Sequence, residues 1–195
     1  MSITVGLDFD GVIGGLCSYQ KGGAQYDEWR EAIGLMRSPH ARKPARGDQI
    51  VRSAFEEAHL NPDSPIYLRP MYGAVASIRR LLALGLSLHV VTARTVEDAT
   101  LAFLWLTRQG LALPFHATHN EKTKRHALAR IRAVAHVDDT PRVLADIQHD
   151  TPHRILFAPF ASVECAHHVA SDFHTVTSWL ALEDRLLKLN CALTS

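Results

Sequence analysis

The sequence has no long apolar run and almost no net charge. No apolar stretch is long enough to cross a bilayer, and Asp8 and Asp10 interrupt the apolar residues that follow Met1, so we predict neither a membrane span nor a signal segment. The 21 Lys and Arg residues nearly balance the 20 Asp and Glu residues, which argues against binding to nucleic acid polymers or to a membrane surface. We therefore expect a globular cytoplasmic protein.

Cysteine is scarce, and no zinc-binding pattern is complete. The three cysteines are Cys17, Cys165 and Cys191. Their odd number and wide spacing favour reduced thiols over a disulfide framework. The segment 165–168 (Cys-Ala-His-His) and the pair His116 and His119 have some resemblance to transition-metal ligand spacing, but no Cys-x-x-Cys or His-Glu-x-x-His motif accompanies them. We interpret most of the histidines as surface or supporting residues.

An apolar strand near the start of the chain ends in two carboxylates. Residues 3–7 (Ile-Thr-Val-Gly-Leu) have the pattern of a strand, and Asp8 and Asp10 follow it. Gly11 then allows a sharp turn, so both carboxylates are expected at the carboxyl end of a sheet, where open α/β folds bind their ligands. An Asp-Gly turn alone can follow any strand, so this interpretation depends on the rest of the chain.

Three later segments supply what two clustered carboxylates need in order to handle phosphate. An apolar strand ends at Thr92, whose hydroxyl can donate a hydrogen bond to an anionic oxygen. Lys122 and Lys124 lie just before a helical pattern, which is a place suited to anions. A third short apolar strand ends in Asp138 and Asp139, which together with the first carboxylate would form an oxygen cage for Mg²⁺.

In this order, the segments resemble the four motifs of the haloacid dehalogenase superfamily. Residues 8–12 (Asp-Phe-Asp-Gly-Val) match its first motif, Thr92 the second, Lys122 or Lys124 the third, and the pair at 138–139 the fourth. The resemblance implies an α/β fold with a Rossmann-like, doubly wound parallel sheet. It also implies a magnesium cofactor and an aspartyl nucleophile.

Strand and helix patterns alternate after about residue 66, as a doubly wound parallel sheet requires. The patterns predict helices over residues 70–84, 97–109, 124–133, 141–148 and about 177–189, and strands over 86–92, 134–138 and 154–158.

The first part of the chain divides differently. We expect residues 1–13 and 66–195 to form the core, because residues 14–65 break the alternation with paired glycines and helical stretches near 27–36 and 48–60. The superfamily places its C1 cap at this point, so the resemblance implies a flap and a small helical C1-type cap that covers the site.

Phosphate chemistry gives each candidate residue a role. A phosphomonoester dianion repels an anionic nucleophile unless a divalent cation and a positive side chain neutralise the charge. Asp8 is expected to be the nucleophile, and Asp10 to protonate the leaving oxygen and then deprotonate the hydrolytic water. Thr92 and the lysine would hold the phosphoryl oxygens, with Gly11 as a further substrate contact. For the lysine we favour Lys124, which begins the helical pattern.

The expected metal ligands are carboxylates, which suit Mg²⁺. They are Asp8, Asp138 and Asp139, and by resemblance the backbone carbonyl of Asp10 joins them. Asp139 has a second interpretation, since it could cap the helix that follows it. Arg94 is interpreted either as a contact to substrate phosphate or as the partner of a nearby glutamate.

The favoured function is magnesium-dependent hydrolysis of a small phosphorylated metabolite through an aspartyl-phosphate. Segments 92–94 (Thr-Ala-Arg) and 137–141 (Val-Asp-Asp-Thr-Pro) look more like small-capped phosphatases and deoxynucleotidases than like dehalogenases. A nucleotide 5′-phosphate is a candidate substrate because the insert carries aromatic faces at Tyr19, Tyr26, Trp29 and Phe55. The alternative is a catalytically weak phosphate-binding or regulatory protein, although such a protein would not need Asp10.

Overall fold

The computed structural model describes residues 2–14, 56–64, 67–148, 151–159 and 173–194. Its strands are β1 (Thr4–Leu7), β2 (Ser87–Thr92), β3 (Phe115–Ala117), β4 (Ala135–Asp138), β5 (His153–Phe157) and β6 (His174–Val176). Its main helices are α1 (Ala74–Ala83), α2 (Val96–Arg108), α3 (Lys124–Arg130), α4 (Pro141–Asp146) and α5 (Trp179–Thr194), and a short 3-10 helix (Glu121–Thr123) precedes α3. No helix within these ranges combines the length and apolar character needed to cross a bilayer.

The strands form one parallel sheet in the order β3-β2-β1-β4-β5-β6. The chain first builds outward from β1 to β3 and then returns to the other side of β1 with β4. The predicted doubly wound α/β fold is therefore confirmed. The order reverses between β1 and β4, and open α/β sheets bind ligands beside the carboxyl ends of the strands at such a point.

The helices cover both faces of the sheet. Helices α1, α2 and α5 pack on one face in the larger apolar cluster, which includes the fully buried Trp105 and Trp179. Helices α3 and α4 cover the other face through a smaller cluster around Leu128 and Leu144. Successive strand residues point to opposite faces, so Val5 and Leu7 join the larger cluster whereas Gly6 faces the smaller one.

The two chain segments that flank the predicted insertion pair with each other. Gly14 forms an isolated antiparallel bridge with Pro70, and the amide of Met71 donates to the carbonyl of Ile13 at 2.8 Å. This pairing supports an insertion between these points, although most of residues 14–65 lie outside the described residues, and the division into core and cap stays a prediction. Of the two predicted helical stretches, the structure describes helix at residues 56–60, and 27–36 is outside it.

Two strands were not predicted, and several element ends differ. The edge strands β3 and β6 have only three residues each, which is too short for periodicity to reveal them. Helix α3 ends at Arg130 rather than at residue 133, because Arg132 adopts a left-handed backbone with φ 54°. Cys191 is a free thiol, as predicted, and it is exposed, whereas Cys17 and Cys165 lie outside the described residues.

Candidate active site

Three carboxylates meet at the point where the strand order reverses. Asp8 follows the last residue of β1, Asp138 is the last residue of β4, and Asp139 comes next. The amide of Asp8 donates to the carbonyl of Val137 at 2.9 Å, which ties the two strand ends together. The parallel pairing of β1 and β4 thus brings together carboxylates that are about 130 residues apart in sequence.

Lys124 lies between two of these carboxylates. It begins α3, and its side chain is only 2% exposed. Its Nζ is 2.9 Å from Asp8 Oδ1 and 2.7 Å from Asp138 Oδ2. Burial alone would lower the pKa of Lys124, but the charges of Asp8 and Asp138 raise it above its ordinary value, so the ammonium stays charged. Lys122, the competing candidate, is exposed.

His136 is a residue of this site that the sequence interpretation missed. It lies on β4, is fully buried, and places Nε2 3.1 Å from Asp138 Oδ2. Its Nδ1 donates to the carbonyl of Gly6 at 3.1 Å, since a carbonyl oxygen can only accept. A Cβ on Gly6 would lie 2.9 Å from this nitrogen, so the glycine makes room for the ring. The glycine within an otherwise apolar strand was the only signal in the sequence.

Asp138 is the most strongly bonded carboxylate of the cluster. Besides His136 and Lys124 it binds the amide of Thr140, which donates to Asp138 Oδ1 at 2.9 Å. Burial would raise the pKa of Asp138, but these partners lower it to about 2. The N-cap of α4 is Thr140, so the interpretation of Asp139 as the helix cap is wrong. Asp139 instead accepts a bond from the Thr140 hydroxyl at 3.1 Å.

The acidic cluster fits a hard divalent cation. Asp8, Asp138 and Asp139 can each offer an oxygen, these atoms lie within 4.8 Å of one another, and carboxylate oxygens are ligands that suit Mg²⁺. Among the described residues, Asp8 Oδ1 accepts no well-directed hydrogen bond despite its burial. Burial and the charge of Asp138 raise the pKa of Asp8 well above its usual range. Desolvation and the same neighbour raise the pKa of the partly exposed Asp139 to about 6. Negative charge is thus in excess at this cluster even with Lys124 present, and a divalent cation would offset it.

Asp10 has a partner of its own, Arg94. Arg94 Nη2 donates to Asp10 Oδ1 at 2.7 Å, and Arg94 Nε donates to Asp10 Oδ2 at 2.9 Å. Desolvation would raise the pKa of Asp10, but the guanidinium lowers it below its ordinary value. The sequence interpretation did not predict this bidentate pair. It had given Arg94 either a contact to substrate phosphate or Glu97 as its partner. Asp10 is also half exposed, so its carboxylate faces the solvent at the mouth of the site.

The predicted substrate contacts lie next to the carboxylates. Thr92 is the last residue of β2 and is buried, and its Oγ1 accepts from the amide of Arg94 at 3.4 Å. Gly11 has φ 75°, and a Cβ there would overlap the carboxylate of Asp139. The amide of Gly11 donates to the carbonyl of Gly14 at 3.0 Å and is thus engaged within the turn.

The histidines that suggested a transition metal do not form such a site in the described residues. His116 Nε2 lies 3.0 Å from His89 Nδ1, and the two rings stack with their centroids 5.3 Å apart. His167 and His168 lie outside the described residues. Within the ranges that the structure describes, the acidic cluster is the group of His, Cys, Asp and Glu residues that could hold a metal ion.

No family model and no curated protein matches the chain, but solved structures resemble it over nearly its whole length. A predicted phosphatase from Clostridium acetobutylicum is 13% identical with a TM-score of 0.62, and 96% of this chain and 99% of that chain are covered. A dehalogenase is 13% identical with a TM-score of 0.59, and 93% of this chain and 95% of that chain are covered. A hydrolase of the haloacid dehalogenase (HAD) type from Bacillus subtilis, solved with bound magnesium, is 12% identical with a TM-score of 0.58. The alignment covers 95% of this chain and 98% of that chain. At these identities the likeness shows the fold, and the chain has the fold of the haloacid dehalogenase superfamily.

Proposed function

We propose that this protein is a magnesium-dependent phosphomonoester hydrolase that acts on a small phosphorylated metabolite. The observation that carries the proposal is the position of Lys124, whose buried ammonium lies within 2.9 Å of Asp8 and of Asp138 at the edge of the sheet. A permanent positive charge placed beside a carboxylate nucleophile and a carboxylate metal ligand is what attack on a phosphate dianion requires. Phosphatase and hydrolase structures among the similar folds support the same class of reaction.

Charge neutralisation is the first requirement of this chemistry. A phosphomonoester brings a dianion to a place that already holds Asp8, Asp10, Asp138 and Asp139. Mg²⁺ held by Asp8, Asp138 and Asp139 would offset that charge and polarise a phosphoryl oxygen. The bound magnesium of the Bacillus subtilis hydrolase agrees with this choice of cation. Lys124 supplies the remaining positive charge from inside the protein, where water does not screen it.

The reaction would proceed in two steps on this chain. In the first, a carboxylate oxygen of Asp8 attacks phosphorus and the bond to the leaving oxygen breaks. Asp10 gives that oxygen a proton, so it has to be protonated when the substrate binds, although Arg94 lowers its pKa. In the second, Asp10 takes a proton from water, the water oxygen attacks phosphorus, and Asp8 is released with inorganic phosphate. Among the described residues nothing engages the amides of Phe9 and Asp10, so these can join the Thr92 hydroxyl in binding the phosphoryl oxygens.

A nucleotide 5′-phosphate is the candidate substrate, on the sequence evidence of the aromatic residues in the insert. Two other functions compete with hydrolysis of a phosphate ester. A dehalogenase could use Asp8 as well, and a dehalogenase is among the similar folds, but displacement of halide from carbon does not need the acidic pair as metal ligands. A phosphate-binding protein without turnover would not need Asp10.

Phosphate release should be measured across a panel of phosphorylated metabolites, with Mg²⁺ and with EDTA. We expect turnover that requires Mg²⁺ and that is lost in Asp8→Asn, because an amide is nearly isosteric but is not a competent nucleophile. Asp184→Asn, a change of the same kind at an exposed residue of α5, is the control. Substantial phosphatase activity in Asp8→Asn would refute the proposal. Metal-independent release of chloride from a chloroacid would favour the dehalogenase, and phosphate binding without turnover the regulatory protein.

A further inference from the structure

The carboxylate of Asp10 is held by a guanidinium that is itself fixed from several sides. Arg94 makes two parallel hydrogen bonds to Asp10, of 2.7 and 2.9 Å, which match the planar fork of a guanidinium to a carboxylate. The carbon at the centre of the guanidinium lies 4.7 Å from the centre of the Phe9 ring, and the Arg94 side chain is only 11% exposed. Asp10 is half exposed, so without Arg94 its carboxylate would be free to rotate.

Arg94 is in turn held by a histidine of the insertion. His59 lies in the segment 56–64, is 1% exposed, and places Nε2 2.8 Å from Arg94 Nη1. A guanidinium can only donate hydrogen bonds, so His59 Nε2 is the acceptor and its proton is on Nδ1. The His59 ring also stacks on Phe9, with the centroids 6.5 Å apart and the planes at 19°. His59, which is 35 positions away from Arg94 in sequence, thus contacts both the Arg94 guanidinium and the Phe9 ring beside it.

We infer that Arg94 is a positioning residue for Asp10, and that His59 is a positioning residue for Arg94. Segment 56–64 then controls the proton transfers of the reaction, in addition to any covering of the site by the insertion. This inference rests on the proposed function, since it assigns a role within the two-step reaction. Neither residue acts on the nucleophile, because Asp8 has Lys124 as its cation.

The two steps of the reaction distinguish this role from others. With p-nitrophenyl phosphate the leaving group needs little help from an acid, so phosphorylation of Asp8 depends weakly on the placement of Asp10. Hydrolysis of the phosphoenzyme still needs Asp10 as the base. A displaced Asp10 should therefore slow the second step, lower kcat and let phosphoenzyme accumulate, whereas a lost substrate contact would raise KM.

The test compares His59→Leu, which cannot accept from Arg94, with His59→Gln, which offers an amide oxygen near the position of Nε2. We expect about a tenfold or greater fall in kcat and accumulation of phosphoenzyme in His59→Leu, and recovery of both in His59→Gln. Arg94→Lys keeps the charge but cannot form the fork, so it should show the same accumulation. Ser64→Ala is the control for loosening of the segment, since Ser64 bonds to Glu57.

Several outcomes would overturn the inference. One is an unchanged kcat in His59→Leu and Arg94→Lys, and another is an effect of these two changes on KM alone. A third is a fall in kcat in Ser64→Ala that equals the fall in His59→Leu. Long-range ¹H–¹⁵N NMR of the unaltered chain, with His59 assigned through His59→Gln, gives a readout that does not depend on activity. We expect a neutral ring with its proton on Nδ1, and a proton on Nε2 would overturn the inference. Absence of p-nitrophenol release from the unaltered chain would instead count against the proposed function, and the NMR result would still decide the His59–Arg94 contact.

Discussion

Replacing Lys124 by alanine should remove most of the activity and also destabilise the fold. The ammonium is buried and lies 2.9 Å from Asp8 and 2.7 Å from Asp138. Its removal leaves two buried carboxylates without their cation, and breaking such a pair costs about 3–5 kcal/mol when the remaining charge cannot relax. Loss of a contact to developing transition-state charge costs about 3 kcal/mol more in the barrier, on the order of a hundredfold in rate.

The stability loss should depend on pH and on metal. Without Lys124, a carboxylate can take up a proton instead of remaining charged, and the pKa of Asp8 is already raised by burial with the lysine present. The folded variant therefore binds more protons than the unfolded chain, and its unfolding free energy should fall as pH rises from about 5 to 8. Mg²⁺ binds the same carboxylates, so it should restore part of the stability but not the rate.

The assay uses kcat for p-nitrophenyl phosphate at saturating Mg²⁺, and urea unfolding at two pH values with and without the metal. Lys122→Ala is the matched control, because that lysine is two residues upstream and exposed. We expect a hundredfold or greater loss for Lys124→Ala and little change for Lys122→Ala. The reverse ranking would move the catalytic role to Lys122. Two mild effects would mean that neither lysine supplies the charge, and the proposed mechanism would fail.

Two further predictions concern the metal ligands. Gly11→Ala should weaken Mg²⁺ binding measured by calorimetry, because φ is 75° and the new Cβ would overlap the Asp139 carboxylate. Gly85→Ala is the control, because Gly85 has φ 88° and open space around it. That variant carries only the backbone penalty of about 1–2 kcal/mol and should leave the Mg²⁺ affinity unchanged. Equal affinities in the two variants would show that Asp139 is not displaced or not a ligand. Mg²⁺ affinity should also fall by about tenfold or more per pH unit below pH 6, since Asp139, with its pKa raised to about 6, and Asp8, whose pKa is also raised, must lose their protons to bind the metal. An affinity that is constant between pH 5 and 7 would contradict this.

The central part of the site was predictable because strand ends are predictable. Apolar patterns located β1, β2 and β4, and parallel strands bring their carboxyl ends to one edge of the sheet. Asp8, Thr92 and Asp138 follow from that rule alone, without knowledge of any contact. Lys124 was favoured from its place at the start of a helical pattern, and the structure places it rather than Lys122 beside the carboxylates.

The residues that support these side chains could not be found in this way. His136 was hidden because a histidine within a strand pattern does not show which face it occupies or what lies opposite. Its space is created by Gly6 on the neighbouring strand, where a side chain would also overlap Leu128. Such a fit between adjacent strands depends on their register, and register becomes known only when the pairing of β1 with β4 is known.

Arg94 shows a different limit of the sequence. It is two residues after Thr92, and the sequence interpretation had it either contact substrate phosphate or pair with Glu97. Its partner could not be predicted, because sequence rules for ion pairs apply to residues that are close in sequence, whereas Asp10 is 84 positions away. The structure gives the two aspartates of the first motif separate cations, Lys124 for Asp8 and Arg94 for Asp10. Burial with like charges raises the pKa of Asp8, and Arg94 lowers that of Asp10, so the neighbours rather than the motif itself set the pKa values of two carboxylates that are two residues apart.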